Sequence, residues 1–212
     1  MAELIKTHHE VVILAIGLLL TTLGLLSFSG LIVWPTASAT STATQTVVVT
    51  ASVREWITFS VSVTSTTLTP DLVDTAGNTA IGSSSAITLS LGTNAGKWKI
   101  EVNGTDTVGM VRLNGTDTIA SVNPTGTITA GSNGYGLNAT TSYAGADIDI
   151  RYDYWSTTTV GGVTTTLRTL ATKQTGNASA TVASIKIYAA ATSTQQAGNY
   201  RDTITLTATS PY

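Results

Sequence analysis

Apolar and polar residues alternate along most of the chain after residue 55, and this period of two constrains the fold more than any other feature of the sequence. Side chains of a β-strand point to opposite faces in turn, so strict alternation predicts strands with one buried face. No run after residue 40 repeats apolar residues at helical spacing over more than about three turns, which argues against βαβ architectures. The alternating segments are Trp56 to Val63, Ile87 to Leu91, Trp98 to Val102, Asp147 to Trp155, Thr181 to Ala189 and Tyr200 to Ala208.

Clusters of Gly, Asn, Asp and Ser separate these short segments, as in antiparallel sheets packed face to face. The sequence therefore predicts an all-β fold, an antiparallel β-sandwich of jelly-roll or Ig-like type. The 212 residues suffice for one such domain. The strand order between residues 103 and 143 stays open.

The clearest predicted hairpin joins Ile87–Leu91 to Trp98–Val102 across the turn residues 92–96. A second turn, at Gly161-Gly162, is expected to lead from the Asp147–Trp155 strand into a Thr-rich partner strand. The alternation also selects an inward face for each strand. The predicted core consists of Ile57, Phe59, Val61, Ile87, Leu89, Leu91, Trp98, Ile100, Val102, Ala183, Ile185, Ile187, Ile204 and Leu206.

Composition excludes several classes of function. Only 10% of the residues are charged and the formal net charge is −2, so the chain lacks the basic stripe that nucleic acid requires. Cysteine is absent, which removes disulfides and thiolate metal sites. The two histidines, His8 and His9, precede the first apolar run and are expected to be removed with it. We therefore predict no enzyme activity and no cofactor.

The N-terminal apolar stretch from Val11 to Val33 has the length of a membrane span or of a long signal-peptide core. The stretch is predicted to form a hydrophobic helix that ends at Pro35. Ala37 and Ala39 then supply the small residues two positions apart that signal peptidase recognises. Residues 1–39 are interpreted as a signal peptide, with an uncleaved membrane anchor as the alternative. Both interpretations place the rest of the chain outside the cell, and contact with a membrane is expected only through this segment.

Residues 40–53 form a polar leader that becomes a Val-rich, strongly β-forming segment, and residues 54–212 form the predicted sandwich domain. The leader strand is therefore separable from the rest of the domain. Its alternate residues form a one-sided apolar row that consists of Val47, Val49, Ala51 and Val53.

A five-residue echo, Asn-Gly-Thr-Asp-Thr, occurs at 103–107 and at 114–118 and places Asp106 and Asp117 in two similar predicted turns. Calcium binds carboxylate and carbonyl oxygens in such loops, but the dense acidic spacing of known calcium loops is missing. Asn-Gly is itself a strong hairpin signal, so structural turns are favoured. The carboxylates between Asp147 and Asp153 are expected on the solvated face of one strand.

Four Asn-x-Ser/Thr triplets are candidate glycan acceptors in an exported protein, with coincidence in a Thr-rich chain as the alternative. They lie at Asn103, Asn114, Asn138 and Asn177. Among the aromatic residues, Trp98 keeps step with inward positions, whereas Trp155 is expected to face outward and could stack on a sugar.

Three features together resemble the TasA/camelysin-type and archaeal bundling-pilin filament subunits. They are the signal segment with its Ala-x-Ala end, the leader TATQTVVVTASV followed by REWITFSVSV, and the Thr-rich domain that ends in QAGNYRDTITLTAT. The last segment also looks like the closing strand of spore-coat-U and fimbrial domains. The long stretch from Asn103 to Tyr143 departs from a compact version of that layout.

In these families an N-terminal strand of one subunit inserts into the sheet of the next, so the resemblance implies that Val47–Val53 is a donor strand. An unpaired sheet edge offers backbone groups that such a strand can satisfy, and a head-to-tail contact propagates without closing. We therefore expect a structural subunit of an extracellular filament, a homopolymer. The alternative is a membrane- or wall-anchored adhesin or carbohydrate-binding module.

Overall fold

The computed structural model describes residues 45–211, and a compact unit begins at Ser52. The predicted signal segment, with Val11–Val33, Ala37 and Ala39, lies outside the described residues. Within 45–211 the chain forms strands and no helix, so this part holds no helix long and apolar enough to cross a membrane. The strands are β1 (Ile57–Val61), β2 (Ile81–Ser83), β3 (Ile87–Thr93), β4 (Trp98–Gly104), β5 (Gly109–Arg112), β6 (Thr118–Ala120), β7 (Thr125–Thr127), β8 (Gly134–Thr140), β9 (Ala146–Ile148), β10 (Thr159–Gly161), β11 (Arg168–Lys173), β12 (Ala178–Ala190), β13 (Tyr200–Arg201) and β14 (Ile204–Thr209).

The strands form three sheets, and all pairs of named strands are antiparallel. A seven-stranded sheet has the order β1-β3-β12-β8-β10-β7, with β2 also paired to β12. A four-stranded sheet has the order β14-β4-β11-β9, and a small third sheet has the order β13-β5-β6. The prediction of an all-β fold with antiparallel sheets is thereby confirmed for residues 45–211, in an arrangement consistent with a β-sandwich.

The main core lies between the seven-stranded and four-stranded sheets and receives side chains from both. Leu89 on β3 and Trp98 and Ile100 on β4 are fully buried in it, as the alternation predicts. The inward residues of β1 and β14 are only half-buried at its margin, apart from Ile57, which is 38% exposed. Alternation identifies the face of a residue but not its distance from a sheet edge. The prediction therefore gave the residues of the edge strands β1 and β14 the same burial as those of the central strands.

A second, smaller apolar cluster covers part of the outer face of the seven-stranded sheet. Its buried members are Ile128, Val160, Tyr188 and Ala190. Because β8 and the end of β12 are covered on both faces, their sequences do not alternate there. This layer was not predicted.

The predicted hairpin between residues 87–91 and 98–102 is wrong. β3 belongs to the seven-stranded sheet and β4 to the four-stranded sheet, so residues 94–97 form an arch that crosses from one sheet to the other. Both strands direct their apolar rows into the same core, from opposite sides. Alternation is identical for a hairpin and for an arch, which is why the sequence did not separate them.

The single strand predicted from Asp147 to Trp155 is also wrong, because β9 ends at Ile148. The carboxylate of Asp149 accepts a hydrogen bond from the backbone N–H of Arg151 at 3.0 Å, which turns the chain out of the sheet. Ile150 is consequently 81% exposed, whereas Tyr152 is buried. The acidic residues of this stretch therefore do not share one strand face.

Gly161-Gly162 does not form a hairpin either, since β10 and β11 lie in different sheets. The backbone of Gly162 packs directly against the backbone of Val122, so a Cβ at position 162 would lie 1.7 Å from the carbonyl oxygen of Val122. β11 still pairs with β9, with Ala171 opposite Ile148, so the two segments are neighbours without being consecutive.

The predicted C-terminal strand is interrupted after Arg201. Asp202 accepts hydrogen bonds from the hydroxyl of Tyr135 at 3.1 Å and from the backbone and hydroxyl of Thr105 at 3.1 and 3.0 Å. These bonds divide the segment into β13 and β14, in separate sheets. Residues 103–143, whose order the sequence left open, supply β5, β6, β7 and the central strand β8.

Candidate functional site

The N-terminal segment is an exposed apolar stretch outside every sheet. Residues 45–56 belong to no strand. Val47, Val49 and Val53 are 83, 86 and 84% exposed, and Ala51 is exposed as well. A run of exposed valines with high β-propensity is unusual on a soluble surface and marks a segment suited to pairing. All four residues of the predicted donor row are thus accessible, which leaves the donor role itself a prediction.

The first free edge is β1, which pairs only with β3 among the described residues. The N–H of Ser62 donates to the carbonyl of Thr88 at 3.0 Å, and hydrogen-bonded pairs alternate along an antiparallel ladder. Phe59 and Val61 therefore direct their backbone groups away from β3, toward the free edge. Their side chains are half-buried against the main core.

The second free edge is β14, which pairs only with β4 among the described residues. The N–H of Thr105 donates to the carbonyl of Thr203 at 3.1 Å, and the same alternation then directs the backbone groups of Ile204, Leu206 and Ala208 outward. The side chains of these three residues are half-buried against the main core. At both edges the residues with outward backbone groups are those with core-facing side chains.

The two edges lie on the same side of the core. β1 is the outer neighbour of β3, β14 is the outer neighbour of β4, and the arch after Thr93 connects β3 to β4. The Thr93 hydroxyl donates to the carbonyl of Trp56 at 2.7 Å and lies 3.3 Å from the Ser210 hydroxyl oxygen, which ties the start of β1 to the end of β14. We call β1 and β14 together the open edge pair.

A side chain on the arch holds the residues before β1 in place. The Asn94 side-chain oxygen accepts the N–H of Trp56 at 2.9 Å, and its nitrogen donates to the carbonyl of Arg54 at 2.9 Å. The Trp56 ring packs over Gly92, where a Cβ would approach it to 3.0 Å. We call these contacts the Asn94 clamp. From the sequence Asn94 was predicted only as a turn residue, and a lone Asn in a turn gives no signal for this role.

The acidic side chains of the described residues do not form a cation-binding cluster. No group of three or more acidic or histidine side chains is placed to hold a metal within residues 45–211. Asp117 instead pairs with Arg112 at 3.4 Å. Burial and the neighbouring Asp202 raise the pKa of the buried Tyr135, a hydrogen-bonded structural residue.

The two copies of the five-residue echo adopt different structures. The copy at 114–118 is the turn between β5 and β6, with Asn114 at a φ of 66°. Asn103 and Gly104 of the other copy are the last residues of β4. The prediction of two similar turns is therefore wrong, because Asn-Gly indicates a turn only when no neighbouring strand captures its backbone; Gly104 here pairs with Ile204.

The four candidate glycan acceptors differ in exposure. Asn114 and Asn177 are exposed and Asn103 is half-buried. Asn138 is fully buried, and its side-chain nitrogen faces the carbonyls of Tyr154, Thr157 and Thr159 at 3.0 to 3.4 Å. The folded chain therefore has no room for a glycan on Asn138, a correction to that candidate.

The predicted outward position of Trp155 holds only in part, and a second tryptophan is more exposed. Trp155 is only half-buried, with the Lys186 ammonium 5.2 Å from its ring centroid, so it faces outward in part. Trp56 is 51% exposed and was not recognised as an outward residue. Trp98 is buried as predicted and lies edge-on to Tyr143 at 6.3 Å.

No protein-family model matches the chain, and no curated protein matches it.

Proposed function

We propose that this chain is a structural subunit of an extracellular filament, in which the N-terminal strand Val47–Val53 of one subunit pairs with the open edge pair of the next. The observation that carries the proposal is the presence, in one chain, of an exposed β-forming segment and of the open edge pair, whose two free strand edges lie on the same side of the core and whose inward side chains are incompletely buried. The segment has no strand to pair with, and each edge has no neighbouring strand on its free side among the described residues.

The chemistry of the N-terminal apolar row matches that of the open edge pair. The edge residues Phe59, Val61, Ile204 and Leu206 present backbone donors and acceptors beside half-buried apolar side chains. A strand that pairs there must supply backbone hydrogen bonds and an apolar row at every second residue. The row from Val47 to Val53 has that spacing.

The proposal extends to the subtype of the fold and to the destination of the chain. The open edge pair beside a two-sheet core supports a sandwich of jelly-roll or Ig-like type that lacks one strand. Export through residues 1–39, with cleavage after Ala39, would free the N-terminus close to the donor row. Such a subunit acts by self-association, without catalysis and without a cofactor.

A donor strand that binds a neighbour gives a head-to-tail contact, and this type of contact generates filaments when the rotation does not close a ring. The resemblance to TasA/camelysin-type and bundling-pilin subunits supports the same conclusion. The second candidate, an anchored adhesin or carbohydrate-binding module, is supported by the exposed ring of Trp56 and the partly exposed ring of Trp155. N-terminal sequencing of protein from the cell surface separates the two, because an anchored module keeps residues 11–33 and the filament subunit begins near Thr40.

The assembly test uses residues 40–212 and two matched double variants. Val47→Asp with Val49→Asp places two carboxylates in the apolar row, where burial without a partner costs several kcal/mol. Val48→Asp with Thr50→Asp adds the same charge to the opposite face of the strand. Electron microscopy should show filaments for the second variant and none for the first, with native circular dichroism for both. Filaments from both variants, or unfolding of the first, would refute the donor role.

A further inference from the structure

Asn94 extends the β1–β3 ladder beyond the point where β3 leaves the sheet. The ladder register ends with Ile57 opposite Thr93, so Trp56 is the next residue and would lie opposite Asn94. At that position the Asn94 side chain, rather than its backbone, accepts the Trp56 N–H, and it also donates to the carbonyl of Arg54. The clamp therefore keeps residues 54–56 in line with β1.

The residues before β1 have an alternative pairing open to them. Residues 54–56 are the only residues between Val53 and β1, and three-residue loops are common in β-hairpins. If residues 54–56 formed such a loop, Val53 would lie opposite Ile57, Ala51 opposite Phe59 and Val49 opposite Val61. The apolar row would then cover the free edge of its own β1, with the side chains on the same face as Phe59.

We propose that Asn94 is a positioning residue that prevents the N-terminal strand from closing on its own β1 edge and so keeps that strand available to a second copy of the chain. This inference rests on the proposed function. Residues 54–56 cannot form a tight loop while the Trp56 N–H and the Arg54 carbonyl are bonded to one Asn94 side chain. The two hydrogen bonds thus favour pairing between subunits over pairing within one.

The test compares wild-type residues 40–212 with Asn94→Ala. The first measurement is amide hydrogen exchange in dilute, monomeric protein. In the self-closed hairpin the N–H groups of Val49 and Ala51 bond to β1, whereas those of Val48 and Thr50 do not. We expect exchange at Val49 and Ala51 to slow about tenfold in Asn94→Ala, with no change at Val48 and Thr50. General loosening of the fold would instead leave all four amides equally fast.

The second measurement is the rate of filament growth, which we expect to fall about tenfold in Asn94→Ala. Asn94→Asp keeps the acceptor for Trp56 and loses the donor to Arg54, so its effects should be intermediate. The control is Asn177→Ala, at an exposed Asn whose backbone carbonyl, rather than its side chain, accepts the Tyr143 hydroxyl at 3.0 Å. This control should match the wild type in both measurements.

Unchanged exchange at Val49 and Ala51 in Asn94→Ala would overturn the inference, as would wild-type growth of its filaments. The proposed function fails separately, if wild-type protein forms no filaments at any concentration. In that case the exchange measurement on monomers still decides whether Asn94 prevents self-pairing.

Discussion

Replacement of Trp98 by Ala tests whether the main core is held by the side chains that the alternation selects. Trp98 is fully buried on β4, contacts Tyr143 edge-on and belongs to the cluster that joins the two sheets. Truncation of a buried Trp to Ala costs about 3–5 kcal/mol through lost burial and the resulting cavity. For a chain of this size that corresponds to a fall in Tm of about 6–20 °C.

A second variant at the same position separates packing from polarity. The indole Nε1 of Trp98 is buried and donates to no acceptor among the described residues. A buried unpaired donor costs about 1–3 kcal/mol, and Trp98→Phe removes it while most of the ring is kept. We therefore expect Trp98→Phe to cost less than about 2 kcal/mol, well below the cost of Trp98→Ala.

The assay is urea denaturation monitored by circular dichroism, and Trp56→Ala is the control. Trp56 is half-exposed, so its truncation should change the free energy of unfolding by less than about 1 kcal/mol. A loss below about 1 kcal/mol for Trp98→Ala, or equal losses at the two tryptophans, would refute the assignment of the core face.

The remaining predictions concern other parts of the compact unit. Gly162→Ala should prevent native folding, because its Cβ would lie 1.7 Å from the Val122 carbonyl oxygen. The control Gly96→Ala has open space around its Cβ and should melt within a few degrees of wild type. Equal melting temperatures for the two variants would contradict this prediction. Burial raises the pKa of Tyr135 in the folded chain, so the neutral phenol stabilises the fold below the ordinary tyrosine value near 10, and this stabilisation is lost as the pH rises above it. Tyr135→Phe should therefore lose less stability between pH 9 and pH 11.5 than wild type in urea titrations, and identical pH profiles would argue against it. Peptide mass spectrometry of native protein from a glycosylating host should find no glycan on Asn138 and should find any glycans at Asn114 or Asn177; occupancy of Asn138 in folded protein would overturn the burial argument.

The sequence predicted the strand content and the face of the strongest strands, because alternation depends only on neighbouring residues. Leu89, Trp98 and Ile100 are buried for that reason. The same local pattern could not predict which sheet a strand joins, so the arch after Thr93 was interpreted as a hairpin. It also could not predict the break at Asp202, because the hydrogen bonds of Asp202 to Tyr135 and Thr105 join residues that approach each other only in the folded chain. The bond between Asp149 and the N–H of Arg151 spans only two residues, and the alternation of the stretch masked this local turn.

For the candidate site, the sequence identified the donor row but not the surface that would receive it. The row from Val47 to Val53 is visible as alternation beside a polar leader. The open edge pair depends on the positions of β1 and β14 at the ends of two sheets, which are long-range features of the topology. The Asn94 clamp joins residues about forty positions apart, and no local motif marks it.

Because the chain contains no cysteine, engineered cross-linking can test directly whether the N-terminal strand of one subunit inserts beside β14 of the next. One protein carries Val49→Cys and the other carries Leu206→Cys or, in separate mixtures, Ile204→Cys. The two proteins are mixed, assembled and then oxidised. Side chains that lie opposite each other on neighbouring strands come within disulfide range, and each protein alone has no partner for this bond. Val48→Cys, on the opposite face of the strand, replaces Val49→Cys in the control mixtures. Donor-strand insertion predicts a cross-linked dimer of one protein of each kind from Val49→Cys with at least one of the two β14 variants, and none from Val48→Cys. Filaments in which Val49→Cys forms no cross-link to either position, or in which Val48→Cys forms the same cross-link, would contradict insertion of the N-terminal strand beside β14.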